Sequence, residues 1–192
     1  MFIEIGGGSI LDLTKIMSIM SSNGGDLIYY RVTLKDNGME NFKNNGPDII
    51  LIPTTAGTGA EVTKAAVFIE NKIKYWISSN KILPKISMVD PILTLTMPKN
   101  ATRDTGLEAL ENLIEGFITN YAKPLSDGLI QQGAHLMFKH LPQSYKDGRN
   151  VSARTAMSFA AIMGGWVVNF PWSSVPSVGS WALPCGDYWS QI

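Results

Sequence analysis

Charge is scarce in the C-terminal part of this chain: no charged residue occurs between Arg154 and Asp187. Such a gap raises the question of a membrane span. Its apolar part, "AMSFAAIMGGWVVNF", is too short to cross comfortably and runs into Pro171, Ser173 and Ser174, so a buried core helix is the expected reading. Cysteine is nearly absent. The single Cys185 excludes an internal disulfide and fits a reducing compartment. Histidine is rare too, with only His135 and His140. An excess of either charge is lacking, because sixteen basic residues balance sixteen acidic ones. That balance gives no footing for nucleic acid or an anionic membrane as partner. No export signal is expected either: Met1 leads straight into "FIEI", without a basic region or a long apolar run. A cytoplasmic location is expected.

What remains is the composition of an ordinary globular protein, 192 residues long and 45% hydrophobic. The first half alternates strand and helix signals. "FIEI" enters "GGGS" and then "ILDLTKIMSIMSS", whose apolar residues recur at helical spacing. A polar connection over 35–47 leads to "DIILIP", a run expected of a strand buried on both faces. "KAAVFIENKIKYWI" predicts a hairpin turning near Glu70-Asn71, and "KISMVDP" a further strand. Helical patterns follow over 101–118, 124–140 and 151–169. The fold expected is therefore an α/β N-terminal part with a partial dinucleotide-binding sheet (1–97), followed by an all-α part (98–192).

Two loops carry the chemistry. "EIGGGSILDLTK" sets three glycines and a serine between a strand and a helix. Glycines let the backbone approach an anion, and a helix start offers free N–H groups with a favourable dipole. A plain tight turn N-capped by Ser9 explains this loop equally well. "IPTTAGTGAEVT" also follows a strand and packs four threonines and two glycines together, groups that suit phosphate and ribose. Two such loops on one sheet would lie along the carboxyl edge where open α/β sheets bind ligands. Further on, "DTGLEALENLIEGF" reads as a helix with Asp104, Glu108, Glu111 and Glu115 as carboxylates and Asn112 as an amide. Glu108, Asn112 and Glu115 share one face.

These segments, together with "VDP" at 89–91 and "PLSDGL" after the helix, resemble the iron-containing (group III) alcohol dehydrogenase family. "GGGSILDLTK" follows its pattern G-G-G-S-x-x-D-x-x-K, and "TGLEALENLIEGF" stands against T-G-x-D-A-L-x-H-x-x-E-x-[FY]. The resemblance implies an NAD- or NADP-dependent oxidoreductase acting on a small alcohol or aldehyde, possessing an α/β cofactor domain and a helical metal domain. It implies that Gly6, Gly7, Gly8 and Ser9 cradle the pyrophosphate with Asp12 nearby, that Thr54, Thr55 and Thr58 contact the nicotinamide and phosphate side, and that Lys74 lies near the ribose. A homo-oligomer is a further expectation.

For the metal, iron or zinc in the family, the resemblance implies an Asp and a His four apart on this helix and two further His downstream. Here those first positions hold Glu108 and Asn112, and "NFPWSSVPSVGSWALPCGDYWSQ" contains no histidine. A carboxylate and an amide are hard oxygen donors, suited at most to weak Mg2+ or Ca2+ binding. His135 and His140 match no ligand position and are expected on an ordinary amphipathic face. The glycine loop here follows the first strand, whereas relatives carry several strands and helices before it. The rival to an enzyme is a nucleotide- or partner-binding relative without the chemistry. A metal-independent reductase would need a side-chain acid such as Tyr121 or Tyr188.

Overall fold

A computed structural model describes residues 1–32, 42–118 and 124–169. Cys185, Tyr121, Tyr188 and the histidine-free segment from residue 170 lie outside the described residues. The chain forms two compact units, Met1–Pro53 with Ala60–Met88, and Thr54–Gly59 with the chain from Val89 onward.

The first unit begins with β1 (Phe2–Gly6), which passes through α1 (Gly8–Asn23) into β2 (Ile49–Pro53). The two strands pair in parallel from Phe2 with Ile49 to Gly6 with Pro53. A strand–helix–strand crossover produces this pairing because the helix can cover a sheet face only by returning along it. Leu11 of α1 fills that face with Ile49, Leu51 and Ala60. Burial alternates along β2, where Ile49, Leu51 and Pro53 are buried while Ile50 and Ile52 are half-buried. The strand is thus covered fully on one face only, not on both as its unbroken apolar run suggested. On β1, Ile3 and Ile5 stay exposed.

The third strand of this sheet, β5 (Ile86–Ser87), is shorter than "KISMVDP" implies. Only Ile86–Ser87 pair with Ile50 and Leu51. The chain then leaves the sheet, and Asp90 caps a 3-10 turn by accepting from the Ile92 N–H at 2.9 Å.

A separate antiparallel hairpin, β3 (Ala65–Glu70) and β4 (Ile73–Ser78), pairs from Ala65–Ser78 to Glu70–Ile73. Its turn residues Asn71 and Lys72 both have positive φ, 51° and 64°, the conformation that matches the right-handed twist of paired strands. Ile16 and Ile19 of α1 pack with Ala66, Ile77, Ile82 and Phe42 in a second core.

In the second unit, α2 (Lys99–Ile118), α3 (Pro124–Lys146) and α4 (Val151–Val168) pack on one another. Their core contains Ala109, Leu113, Ile130, Met137, Met157, Ala160, Ala161 and Val167, joined by Ala56 from the loop after β2. The helix α3 continues through Pro142 to Lys146, past the end expected at 140. Among the described residues α4 is the one helix long and apolar enough to cross a membrane, yet half of it is buried in this unit. It starts on Asn150, whose side chain accepts from the Ala153 N–H at 3.0 Å. Arg154 is wholly buried in it. Its guanidinium donates to the Gly148 carbonyl at 2.9 Å, the Thr102 hydroxyl at 2.8 Å and the Met97 carbonyl at 3.4 Å. Burial among neutral acceptors lowers its pKa.

Candidate functional site

The first loop is a strand end turned directly into a helix start. Gly7 is the N-cap of α1, with φ −78° and ψ 174°, and no side chain caps the first turn. The Gly7 carbonyl accepts from the Ile10 and Leu11 N–H groups at 3.0 and 3.1 Å. Ser9 is therefore inside the first turn and exposed, not the N-cap that a plain capped turn would require. With glycine at the cap, the first-turn N–H groups have no side-chain acceptor of their own. Gly6 is the register partner of Pro53, so both loops leave the sheet at its carboxyl edge.

Behind the loop, α1 carries a buried ionic cluster. Asp12 accepts from the Val67 N–H at 3.0 Å and from Lys15 Nζ at 3.3 Å. Lys15, fully buried, also donates to Thr63 Oγ1 at 2.9 Å and the Ala65 carbonyl at 2.8 Å. Burial raises the Asp12 pKa against the opposing pull of Lys15, and lowers the Lys15 pKa against that of Asp12. Burial likewise raises Glu61. Both Asp12 oxygens are thus engaged in tying α1 to the hairpin. The i,i+3 spacing of Asp12 and Lys15 on one helix is the only local signal of this cluster. Its partners Thr63 and Ala65 are remote in sequence. Lys74 sits mid-strand on β4, opposite Ile69 and half-buried.

The second loop, Thr54–Gly59, is pressed into the helical unit. Ala56, Gly57 and Gly59 are buried and the three threonines half-buried. Gly59 has φ +62°, and a Cβ there would lie 2.6 Å from Gly165 Cα and 2.8 Å from the Ala161 carbonyl. Only glycine satisfies both demands. A Cβ on Gly57 would meet Thr105 Cβ at 2.5 Å. The Thr58 carbonyl receives the Asn112 side-chain amide at 3.5 Å, a long contact.

On α2, Glu108 is exposed, Asn112 half-buried and Glu115 buried. Among the described residues neither Glu115 oxygen has a hydrogen-bond partner. Burial, assisted by Glu111, raises its pKa to about 7. Among the described residues no group of three or more His, Cys, Asp or Glu is arranged to hold a metal ion. His135 is exposed on α3, and His140 Nδ1 lies 3.0 Å from Gln143 Oε1.

A family model for iron-containing alcohol dehydrogenase matches residues 1–91, and one for the C-terminal part of the Fe-containing alcohol dehydrogenase family matches 102–172. The chain belongs to the iron-containing alcohol dehydrogenase family. It is 35% identical over 169 residues to a 1,3-propanediol dehydrogenase of Klebsiella pneumoniae, covering 87% of this chain and 42% of that protein. It is 33% identical over 169 residues to an NAD-dependent methanol dehydrogenase of Bacillus methanolicus, with 87% and 43% covered.

A crystal structure of a 1,3-propanediol oxidoreductase superposes at TM-score 0.80 with 34% identity, covering 87% of this chain and 43% of that one. The NAD+ complex of a sulfoacetaldehyde reductase from Bifidobacterium kashiwanohense gives 0.77 and 29%, covering 97% and 50%. The chain spans less than half the length of these curated relatives. The expected α/β-then-helical architecture and the family's oxidoreductase character agree with these matches. The matching family model is described as iron-containing, and the methanol dehydrogenase relative as NAD-dependent. The iron does not fit the donor set on α2, an exposed carboxylate and an amide whose nitrogen is turned to a carbonyl.

Proposed function

We propose that this chain binds a nicotinamide dinucleotide, NAD or NADP, at the carboxyl edge of its parallel sheet, as part of an oxidoreductase acting on a small alcohol or aldehyde. The observation that carries the reading is the uncapped, glycine-led start of α1 beside the end of β2. Gly6, Gly7, Gly8 and Ser9 would receive the pyrophosphate on backbone N–H groups. Thr54, Thr55 and Thr58 would take the phosphate and nicotinamide side, and Lys74 the ribose. Asp12 serves this reading as a support, because its oxygens hold α1 against the hairpin behind the loop. Bound there, the nicotinamide ring would supply the hydride acceptor or donor for the alcohol or aldehyde carbon. A homo-oligomer in the cytoplasm, without nucleic acid or membrane partners, completes the proposal. A binding relative without chemistry is the weaker reading, since the relatives named above are dehydrogenases and reductases.

Titration of the chain with NADH and NADPH, followed by cofactor fluorescence, tests the proposal. Ser9→Glu places a carboxylate in the first turn, where it favours the helix but repels a pyrophosphate. Saturable binding to the parent chain, weakened about tenfold or more in the variant, is expected. Unaltered binding in the variant would refute the assignment of this loop.

A further inference from the structure

We infer that the α2 face bearing Glu108 and Asn112 is not a transition-metal seat, and that Asn112 instead positions the Thr54–Gly59 loop through the Thr58 carbonyl. A protein site for iron or zinc needs three or more ligands, with imidazole or thiolate prominent among them. This face supplies one exposed carboxylate and one amide. The amide nitrogen cannot ligate, because its lone pair is delocalised, and only its oxygen could. The nitrogen points at the Thr58 carbonyl, 3.5 Å away, a use of the side chain that requires a donor rather than a metal ligand.

The surroundings fit that role. Gly164 brings α4 so close that a Cβ there would lie 3.3 Å from Asn112 Cβ and 3.2 Å from the Ala109 carbonyl. Asn112 is thereby fixed between α4 and the loop. The loop in turn is fixed by Ala56 in the helical core and by Gly57 against Thr105. The Asn112 amide meets a backbone carbonyl between the two glycines, at the threonine proposed to contact cofactor. The positioning half of the inference rests on the cofactor reading given above. The metal half stands without it.

The experiment uses the 192-residue chain, purified without chelator, equilibrated with ferrous or zinc ion and passed through gel filtration before elemental analysis. Metal well below one ion per chain is expected for the parent, and Asn112→His is expected to stay equally poor, since one imidazole does not complete a ligand set. Iron or zinc retained near one per chain, and lost in Asn112→Ala, would overturn the metal half. In parallel, NADH affinity is measured for parent and Asn112→Ala, with thermal unfolding confirming that the variant is folded. A long hydrogen bond predicts a loss of about three- to fivefold in affinity, with metal content unchanged. Equal affinity in the two proteins would overturn the positioning role. Failure of the parent to bind either dinucleotide would overturn the cofactor reading and the positioning role with it, leaving the metal result to be judged alone.

Discussion

Replacing Glu115 with Gln should make the protein more stable at alkaline pH and alter it little at acid pH. The carboxyl is 8% exposed, and among the described residues neither oxygen is hydrogen-bonded. Burial, with Glu111 as the smaller cause, moves its pKa from 4.5 to about 7. The folded state therefore holds the proton more tightly than the unfolded chain does. Its contribution is fully present below the unfolded value of 4.5 and is lost as pH rises through about 7. At 1.36 kcal/mol per pH unit the loss reaches about 3 kcal/mol above neutrality. Gln has nearly the same shape and carries no charge, so it removes this penalty while retaining the packing. Urea unfolding at pH 5 and pH 8 measures the effect. The variant should lie within about 1 kcal/mol of the parent at pH 5 and exceed it by about 3 kcal/mol at pH 8. Equal pH dependence in the two proteins, or a variant less stable at pH 8, would refute the argument that this carboxyl is buried without a partner.

Lys15→Met should cost about 3–5 kcal/mol, because it leaves the Asp12 carboxyl buried without its cation. A loss below about 1 kcal/mol in chemical unfolding would mean the cluster relaxes into water. Gly59→Ala should destabilise by about 2 kcal/mol or more, from its positive φ and the contact with Gly165. A neutral result would show that the loop is not held against α4. Arg154→Ala strips donors from the Gly148 and Met97 carbonyls and from Thr102, and should cost about 3 kcal/mol or more by the same assay.

Local pattern decided much of this architecture. The apolar spacing of α1, the short run of β2 and the three later helices are features that adjacent residues settle among themselves. The hairpin was legible as well, its turn at Asn71-Lys72 lying beside the expected Glu70-Asn71. The remaining features depend on partners distant in sequence. β5 is brief because the chain turns away into the Asp90-capped segment. Nothing in "KISMVDP" reveals how few residues find a partner on β2. α3 passes Pro142 although proline lacks the N–H for a helical bond. The loop Thr54–Gly59 packs with the helices because Gly57 and Gly59 meet Thr105 and Gly165, contacts far beyond any local window. The same holds for the candidate site. Its glycines and threonines were visible as a motif, whereas the clasp of Lys15 on Thr63 and Ala65, the buried Arg154 and the solitary Glu115 carboxyl emerged only in three dimensions.

The glycine-led start of α1 is proposed to receive the pyrophosphate of a nicotinamide dinucleotide. Amide chemical-shift mapping of the 15N-labelled chain during NADH titration tests it most directly. The Gly7, Gly8 and Ser9 amides should shift saturably, with the same dissociation constant as the cofactor fluorescence. Saturable binding that leaves those three amides unmoved, or no binding of NADH or NADPH, would contradict it.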